Sequence, residues 1–197
     1  MKDLFKLKAS KKELIIFSAL FVGSVLLDQL TKIIAIKYLQ EPVIITSWLQ
    51  LKLQINPGVA FSFLKDAPQW ISALISLVAT VAIIYYLLFK KNDDKIFNYC
   101  LVLLAAGALG NGIDRWLAVF GREINVRGVM EAGVVDFIWP TFFANFNVAD
   151  IYVTCTCLFM IVYVIFFGKE EKDPHRVKKA DLKASTNTEV KEEVKDE

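Results

Sequence analysis

Histidine occurs once in this 197-residue chain, at His175, within a charged C-terminal stretch. Zinc hydrolysis and imidazole-based acid–base catalysis are excluded on that ground. Cysteine is nearly as scarce. Cys100, Cys155 and Cys157 all lie inside apolar runs, and the last two, two apart on a helix, point to different sides. They read as small buried hydrophobes rather than a disulfide or a metal pair. No Gly-x-Ser-x-Gly elbow and no His-Glu-x-x-His is present. Ser24 stands two helical turns before Lys32, too far for a serine–lysine dyad.

What the chain has instead is hydrophobicity, at 55% of residues, gathered into blocks. Four runs reach the roughly 20 residues that a bilayer crossing needs. They are Leu14–Ile36, Trp70–Phe89, Ile96–Ala118 and Val148–Phe167. The second carries no charge and is apolar all round, which argues against a soluble helical bundle. The first contains Asp28 and Lys32 and precedes no small-x-small cleavage site, so it reads as a retained span rather than a signal peptide. Sixteen basic residues fall in the N-terminal arm, the middle connection and the C-terminal tail, against five in connections 37–69 and 119–147. The positive-inside rule then places both termini in the cytoplasm and those two connections outside. The expected organisation is a cytoplasmic basic arm at 1–13, a four-span domain at 14–167 and a disordered cytoplasmic tail at 168–197. The net charge of +2 follows from this topology and gives no support for nucleic acid as a partner.

The outer connections carry the local structure. Trp48–Ile55 alternates apolar and polar residues, the pattern of a half-buried strand, and Asn56-Pro57-Gly58 breaks it before Val59–Phe63. A small sheet with its apolar face toward lipid is expected, an ordinary surface hairpin being the alternative. In the second connection Arg122–Arg127 reads as a turn or short helix, with bends at Gly121, Gly128 and Gly133. Trp139, Phe142, Phe143 and Phe146 form an interfacial aromatic group.

Ionisable residues in the spans gather near the outer ends of the first, third and fourth. Asp28 and Lys32 are four apart, Asn111 and Arg115 likewise with Asp114 beside them, and Asn147 and Asp150 are three apart. Ala106, Gly107, Ala108 and Gly110 allow the third helix to approach its neighbours closely. A charge within a span costs about 3 kcal/mol at the bilayer centre, so these groups have a structural or a chemical purpose. For Asp28–Lys32 and Asp114 the two readings stand level. For Asp136, in Val134-Val135-Asp136-Phe137, and Asp150, in Phe146-Asn147-Val148-Ala149-Asp150, chemistry is favoured. Peptide hydrolysis without metal or nucleophile needs a base for water and an acid for the leaving groups. Two carboxylates about 4 Å apart repel by about 4 kcal/mol at an effective dielectric near 20, enough to hold one shared proton near neutrality.

Five segments resemble the lipoprotein signal peptidases, or signal peptidase II. In order they are Asp28-Gln29-x-Thr31-Lys32, Asn56-x-Gly58-x-Ala60-Phe61, Gly107-Ala108-Leu109-Gly110-Asn111-x-x-Asp114-Arg115, Val134-Val135-Asp136-Phe137 and Phe146-Asn147-x-Ala149-Asp150. The resemblance implies an all-α membrane protein of four transmembrane helices with a small extracytoplasmic β-cradle and a surface loop. It implies a monomeric aspartic endopeptidase of the bacterial inner membrane, without cofactor or metal, working beside membrane lipid. The substrates are prolipoproteins that carry diacylglyceryl on a cysteine, cut just before that cysteine, and globomycin-type inhibitors bind the same pocket. Asp136 and Asp150 match the catalytic pair. Asn56, Gly58, Asn111, Arg115 and Asn147 match substrate-pocket positions, and Asp28, Lys32 and Asp114 match orienting ones. The chain departs from the family's pattern at Ala106-Gly107, where paired glycines are usual, and in its long stretch 116–133, expected near the substrate entrance. Competing classes are a small proton-coupled transporter and a lipopeptide-binding assembly factor. Four spans without an internal repeat and with every charge at one side argue against the transporter.

Overall fold

The computed structural model describes residues 7–58, 68–90 and 93–167. The expected disordered tail at 168–197, its His175, and the segment Val59–Phe63 lie outside the described residues. The chain divides into two units, Met1–Met160 and Ile161–Glu197, and every candidate site residue belongs to the first.

Among the described residues, four helices are long and apolar enough to cross a membrane. Helix α1 (Lys11–Tyr38) starts where Ser10 and Glu13 form a capping box, each side chain accepting from the other's backbone N–H. Helix α2 (Gln69–Tyr85) begins after Pro68 and ends in a π-helical turn, Tyr86–Lys90. Asp94 caps α3 (Lys95–Val119) by accepting from the Ile96 and Phe97 amides. Helix α4 spans Val148–Phe167.

Burial on α1 is inverted relative to a water-soluble helix. Ser24, Asp28, Lys32 and Ala35, at near-four-residue spacing, face inward, while Leu26, Leu27, Leu30, Ile33 and Ile34 are exposed. That is the arrangement expected where hydrocarbon, not water, covers the outside. Cys100 is buried as expected, but Cys155 is exposed and Cys157 half-buried on α4, all three as free thiols. A thiol behaves as a small hydrophobe, so facing lipid costs Cys155 little and nothing drives it inward.

Helix α3 packs against α1 and α2 and meets the start of α4. Small residues make this possible. A methyl group at Gly107 would lie 2.7 Å from the Ala149 carbonyl oxygen, and one at Gly110 would lie 2.6 Å from an Asp28 carboxylate oxygen. Asp28 is fully buried and ion-paired, so it has nowhere to retreat. Gly110→Ala is therefore expected to destabilise by about 1–3 kcal/mol through overpacking. Gly23→Ala, with nothing within 4 Å of the added methyl, is the matched control. Thermal unfolding in detergent measures both, and equal midpoints would contradict the packing account.

Among the described residues the β part holds five strands: β1 (Val43–Ile44), β2 (Leu49–Asn56), β3 (Ile124–Val126), β4 (Val129–Glu131) and β5 (Val134–Pro140). Strands β1, β2 and β5 form one antiparallel sheet in that order, with Gln54 opposite Asp136 and Asn56 opposite Val134. Strands β3 and β4 form a separate hairpin. Two expectations change here. Arg122–Arg127 is neither turn nor short helix as a whole: it leads into β3 and ends at a two-residue turn, Arg127-Gly128, with both residues at positive φ (49° and 91°). The alternating face of β2 does not lie on lipid either. Leu53 and Ile55 join Val135, Phe137, Ile124, Val126 and Ala35 in a closed core. Because side chains alternate along a strand, Gln54, Asn56 and Asp136 point to the opposite face. The hairpin within 116–133 therefore backs the sheet behind Asp136 and does not stand at the entrance in front of it.

Candidate active site

Asp136 comes from the middle of β5 and Asp150 from the first turn of α4; Asn147 joins them. Its Nδ2 donates to Asp136 Oδ1 at 2.8 Å, and its backbone N–H donates to Asp150 Oδ2 at 3.1 Å. The Asn147 side-chain oxygen in turn accepts from the Asp150 N–H at 3.1 Å. This reciprocal pair is a capping box at the start of α4, so ordinary helix-start chemistry also holds one carboxylate toward the other. Asn147 is fully buried.

The remaining carboxylate oxygens have partners as well. Asn56 Nδ2 donates to Asp136 Oδ2 at 3.1 Å, and Asn111 Nδ2 donates to Asp150 Oδ1 at 2.7 Å. Gly58 contributes through its amide, which donates to Asn56 Oδ1 at 3.0 Å and so turns the Asn56 NH2 toward Asp136. Asn111 is committed on both sides, since its oxygen accepts from Asn147 Nδ2 and from Lys32 Nζ, each at 3.0 Å. Arg115 stands one helical turn beyond Asn111. Its Nη1 donates to Ser76 Oγ at 3.1 Å, while its buried Nε has no partner among the described residues.

Beneath these groups lies an ion-paired layer. Lys32 Nζ sits 2.8 Å from both Asp28 Oδ2 and Asp114 Oδ2, with all three residues at most 2% exposed. Asp28 Oδ1 also accepts from the Ala149 N–H at 2.9 Å, tying α1 to the start of α4. Asn56, Asn111 and Asn147 thus meet the two aspartates directly, Gly58 meets Asn56, Asp28, Lys32 and Asp114 lie beneath, and Arg115 contacts Ser76 instead. Four contributors were not anticipated: Arg122 on Asp114, Ser76 under Arg115, Gln29 on Asp28 and Gly110, and Asn145 hydrogen-bonded to Gln54. The spacing Ser72, Ser76, Thr80 on an otherwise apolar span was a readable signal for an inward polar stripe.

In front of Asp136 opens a cleft of about 400 Å³, lined by Gln54, Asn56, Trp139, Phe143 and Asn145 among others. Lys52 lies over the Trp139 ring at 4.0 Å, and Trp48 packs on Phe142 with ring centres 6.0 Å apart. Phe142 and Phe143 are exposed, as an interfacial belt requires. Among the described residues no three His, Cys, Asp or Glu side chains converge so as to hold a metal ion.

Burial raises the Asp136 carboxyl from 3.8 to about 7, and the charge of Asp150 adds to the rise. The hydrogen bonds from Asn56 and Asn147 and the charge of Lys32 oppose it. The folded protein therefore binds more protons than the unfolded chain between those pH values. By linkage the Asp136 contribution to stability falls as pH rises from about 4 to about 7, and is level above that.

A family model described as signal peptidase (SPase) II matches residues 20–166. The chain belongs to the signal peptidase II family. It is accordingly a member of a family of multi-pass inner-membrane proteases, which agrees with its four apolar helices. The lipoprotein signal peptidase of Chlorobium phaeobacteroides (strain BS1) is 33% identical over 151 residues, 74% of this chain and 93% of the relative. That of Polynucleobacter necessarius subsp. necessarius (strain STIR1) is 37% identical over 150 residues, 68% and 79% of the two chains. Among solved structures, a bacterial membrane enzyme determined by the in meso method at 2.3 Å resolution superposes with a TM-score of 0.61. It shares 25% identity over 80% of this chain and 92% of that one.

Proposed function

We propose that the chain is an aspartic endopeptidase that removes the signal peptide from diacylglyceryl-modified prolipoproteins, cutting before the lipidated cysteine. The observation that carries this reading is that one buried asparagine, Asn147, hydrogen-bonds carboxylates from two separate elements. A proton on Asp136 and a charge on Asp150, or the reverse, supply the acid and the base of one reaction; the two titrations belong to the pair. The ionised carboxylate takes a proton from a water whose oxygen attacks the scissile carbonyl. The protonated carboxyl hydrogen-bonds the carbonyl oxygen as charge develops there. Collapse of the tetrahedral species breaks the C–N bond, and the amine leaves with a proton from the pair. Asn56, Asn111 and Asn147 hold the carboxylates in place, and Gly58 holds Asn56. Arg115, with donors to spare, binds a backbone carbonyl of the substrate. Asp28, Lys32 and Asp114 orient the helix ends below.

The site faces the outside of the cytoplasmic membrane and both termini face the cytoplasm, a reading supported by the sixteen-to-five division of basic residues. Substrate lipid stays in the bilayer while the peptide enters the cleft beside Asp136. All the groups come from one chain, so a monomer suffices. Purified protein incubated with a diacylglyceryl prolipoprotein and followed by mass analysis is expected to release a free signal peptide, with the new N-terminus at the lipidated cysteine. Binding without a new product would leave a lipopeptide-binding factor, and the peptidase reading would be withdrawn.

A further inference from the structure

The hairpin within 116–133 is fastened at three places. Gln40, just past the end of α1, donates to the Asn125 carbonyl at 3.0 Å and accepts from the Arg127 N–H at 3.1 Å. Gln69, at the start of α2, donates to the Ala132 carbonyl at 3.1 Å. At the root, the Arg122 amide closes the end of α3 on the Leu117 carbonyl at 2.8 Å, while its Nη2 donates to Asp114 Oδ1 at 2.7 Å. Asp114 is the group through which this reaches the site: its other oxygen pairs with Lys32 Nζ and accepts from the Val135 N–H at 3.4 Å. Val135 is the residue before Asp136. The strand enters at Gly133, where any side chain would meet the Asn56 carbonyl oxygen.

Charge makes Arg122 more than a clasp. Asp28 and Asp114 are buried with Lys32 between them, two acids to one cation. Arg122, in the connection that follows α3, ion-pairs with Asp114 and brings a second cation directly onto this cluster. We infer that Arg122 is a positioning residue, by which the connection after α3 neutralises Asp114 and fixes the entry of β5, and with it the placement of Asp136. This rests on Asp136 being catalytic.

Arg122→Gln keeps a donor for Asp114 and removes the charge. Per folded enzyme, it is expected to lower kcat about tenfold with KM changed less than about twofold, because a displaced reacting group costs rate rather than binding. Arg122→Lys restores the charge and should return kcat to within about threefold of the parent. An Arg122→Gln enzyme with parental kcat, or a kcat that falls only with the folded fraction, overturns the inference. If the glutamine variant does not fold, the lysine variant decides: a kcat loss of tenfold or more despite the retained charge counts against it. Asp136→Asn, run in parallel, separates the two levels. Cleavage persisting there removes the aspartic reading itself, whereas an inactive Asp136→Asn beside a fully active Arg122→Gln removes only the role of Arg122.

Discussion

Asp136→Asn and Asp150→Asn are each expected to reduce signal-peptide release by at least about a thousandfold, within the range that general acid–base groups supply. Asparagine keeps the size of the side chain and gives up the ability to take or hold a proton. At Asp150 both oxygens accept, from the Asn111 side-chain amide and from the Asn147 backbone N–H, so the NH2 of the variant faces a donor. At Asp136 both oxygens accept from side-chain amides, so an NH2 in that place faces a donor. That mismatch costs about 1–3 kcal/mol, offset by removal of a charge that burial disfavours. Both variants should therefore still insert in the membrane and fold, as thermal unfolding in detergent will report. Residues that act as one unit do not add, so the double variant should be no slower than the singles. More than a tenth of the parental rate in either single variant, in single-turnover cleavage of lipidated substrate, would remove that aspartate from the mechanism.

Lys32→Met is expected to be the most damaging single change to stability. The ammonium has four acceptors between 2.8 and 3.3 Å: Asp28, Asp114, Asn111 Oδ1 and the Gly110 carbonyl. Methionine fills much of the same volume but leaves two buried carboxylates without the ammonium between them, with the Arg122 ion pair on Asp114 remaining. Breaking a buried pair from one side costs about 3–5 kcal/mol. Against a net stability of roughly 5–15 kcal/mol, that is enough to deplete the folded protein. The double change Lys32→Met with Asp28→Leu removes one stranded charge along with its partner and should recover part of the loss. A midpoint for Lys32→Met within a few degrees of the parent would show that the ion-paired layer contributes little.

Much of the architecture was readable from residue order. Hydropathy placed all four helices to within a few residues of their ends, because a bilayer imposes length and apolarity together. The spacings Asp28–Lys32 and Asn147–Asp150 became an ion pair and a capping box, since local helical geometry determines both. Hydropathy could not say which face of a span looks inward when lipid makes the outer face as apolar as any core. Leu26 and Leu27 face out beside the inward Asp28 for that reason. The hairpin at 124–131 escaped notice because three-residue strands are too short to display a period. Arg122 reads as the start of a turn or short helix; its partner Asp114 lies inside α3, and contact depends on how the chain turns back at Gly121 (φ 91°). The pairing of Gln54 with Asp136 spans more than eighty positions, and no local pattern encodes it.

The most direct test of the shared proton is the pH dependence of kcat/KM for a lipidated peptide, measured on the parent enzyme. With the Asp136 carboxyl raised to about 7, activity should be sustained at lower pH while the pair holds one proton, then fall as pH rises through that value and the proton is lost. A rate unchanged from mildly acidic pH through about two units above that value would contradict the account, because a doubly ionised pair has no acid to give the departing amine.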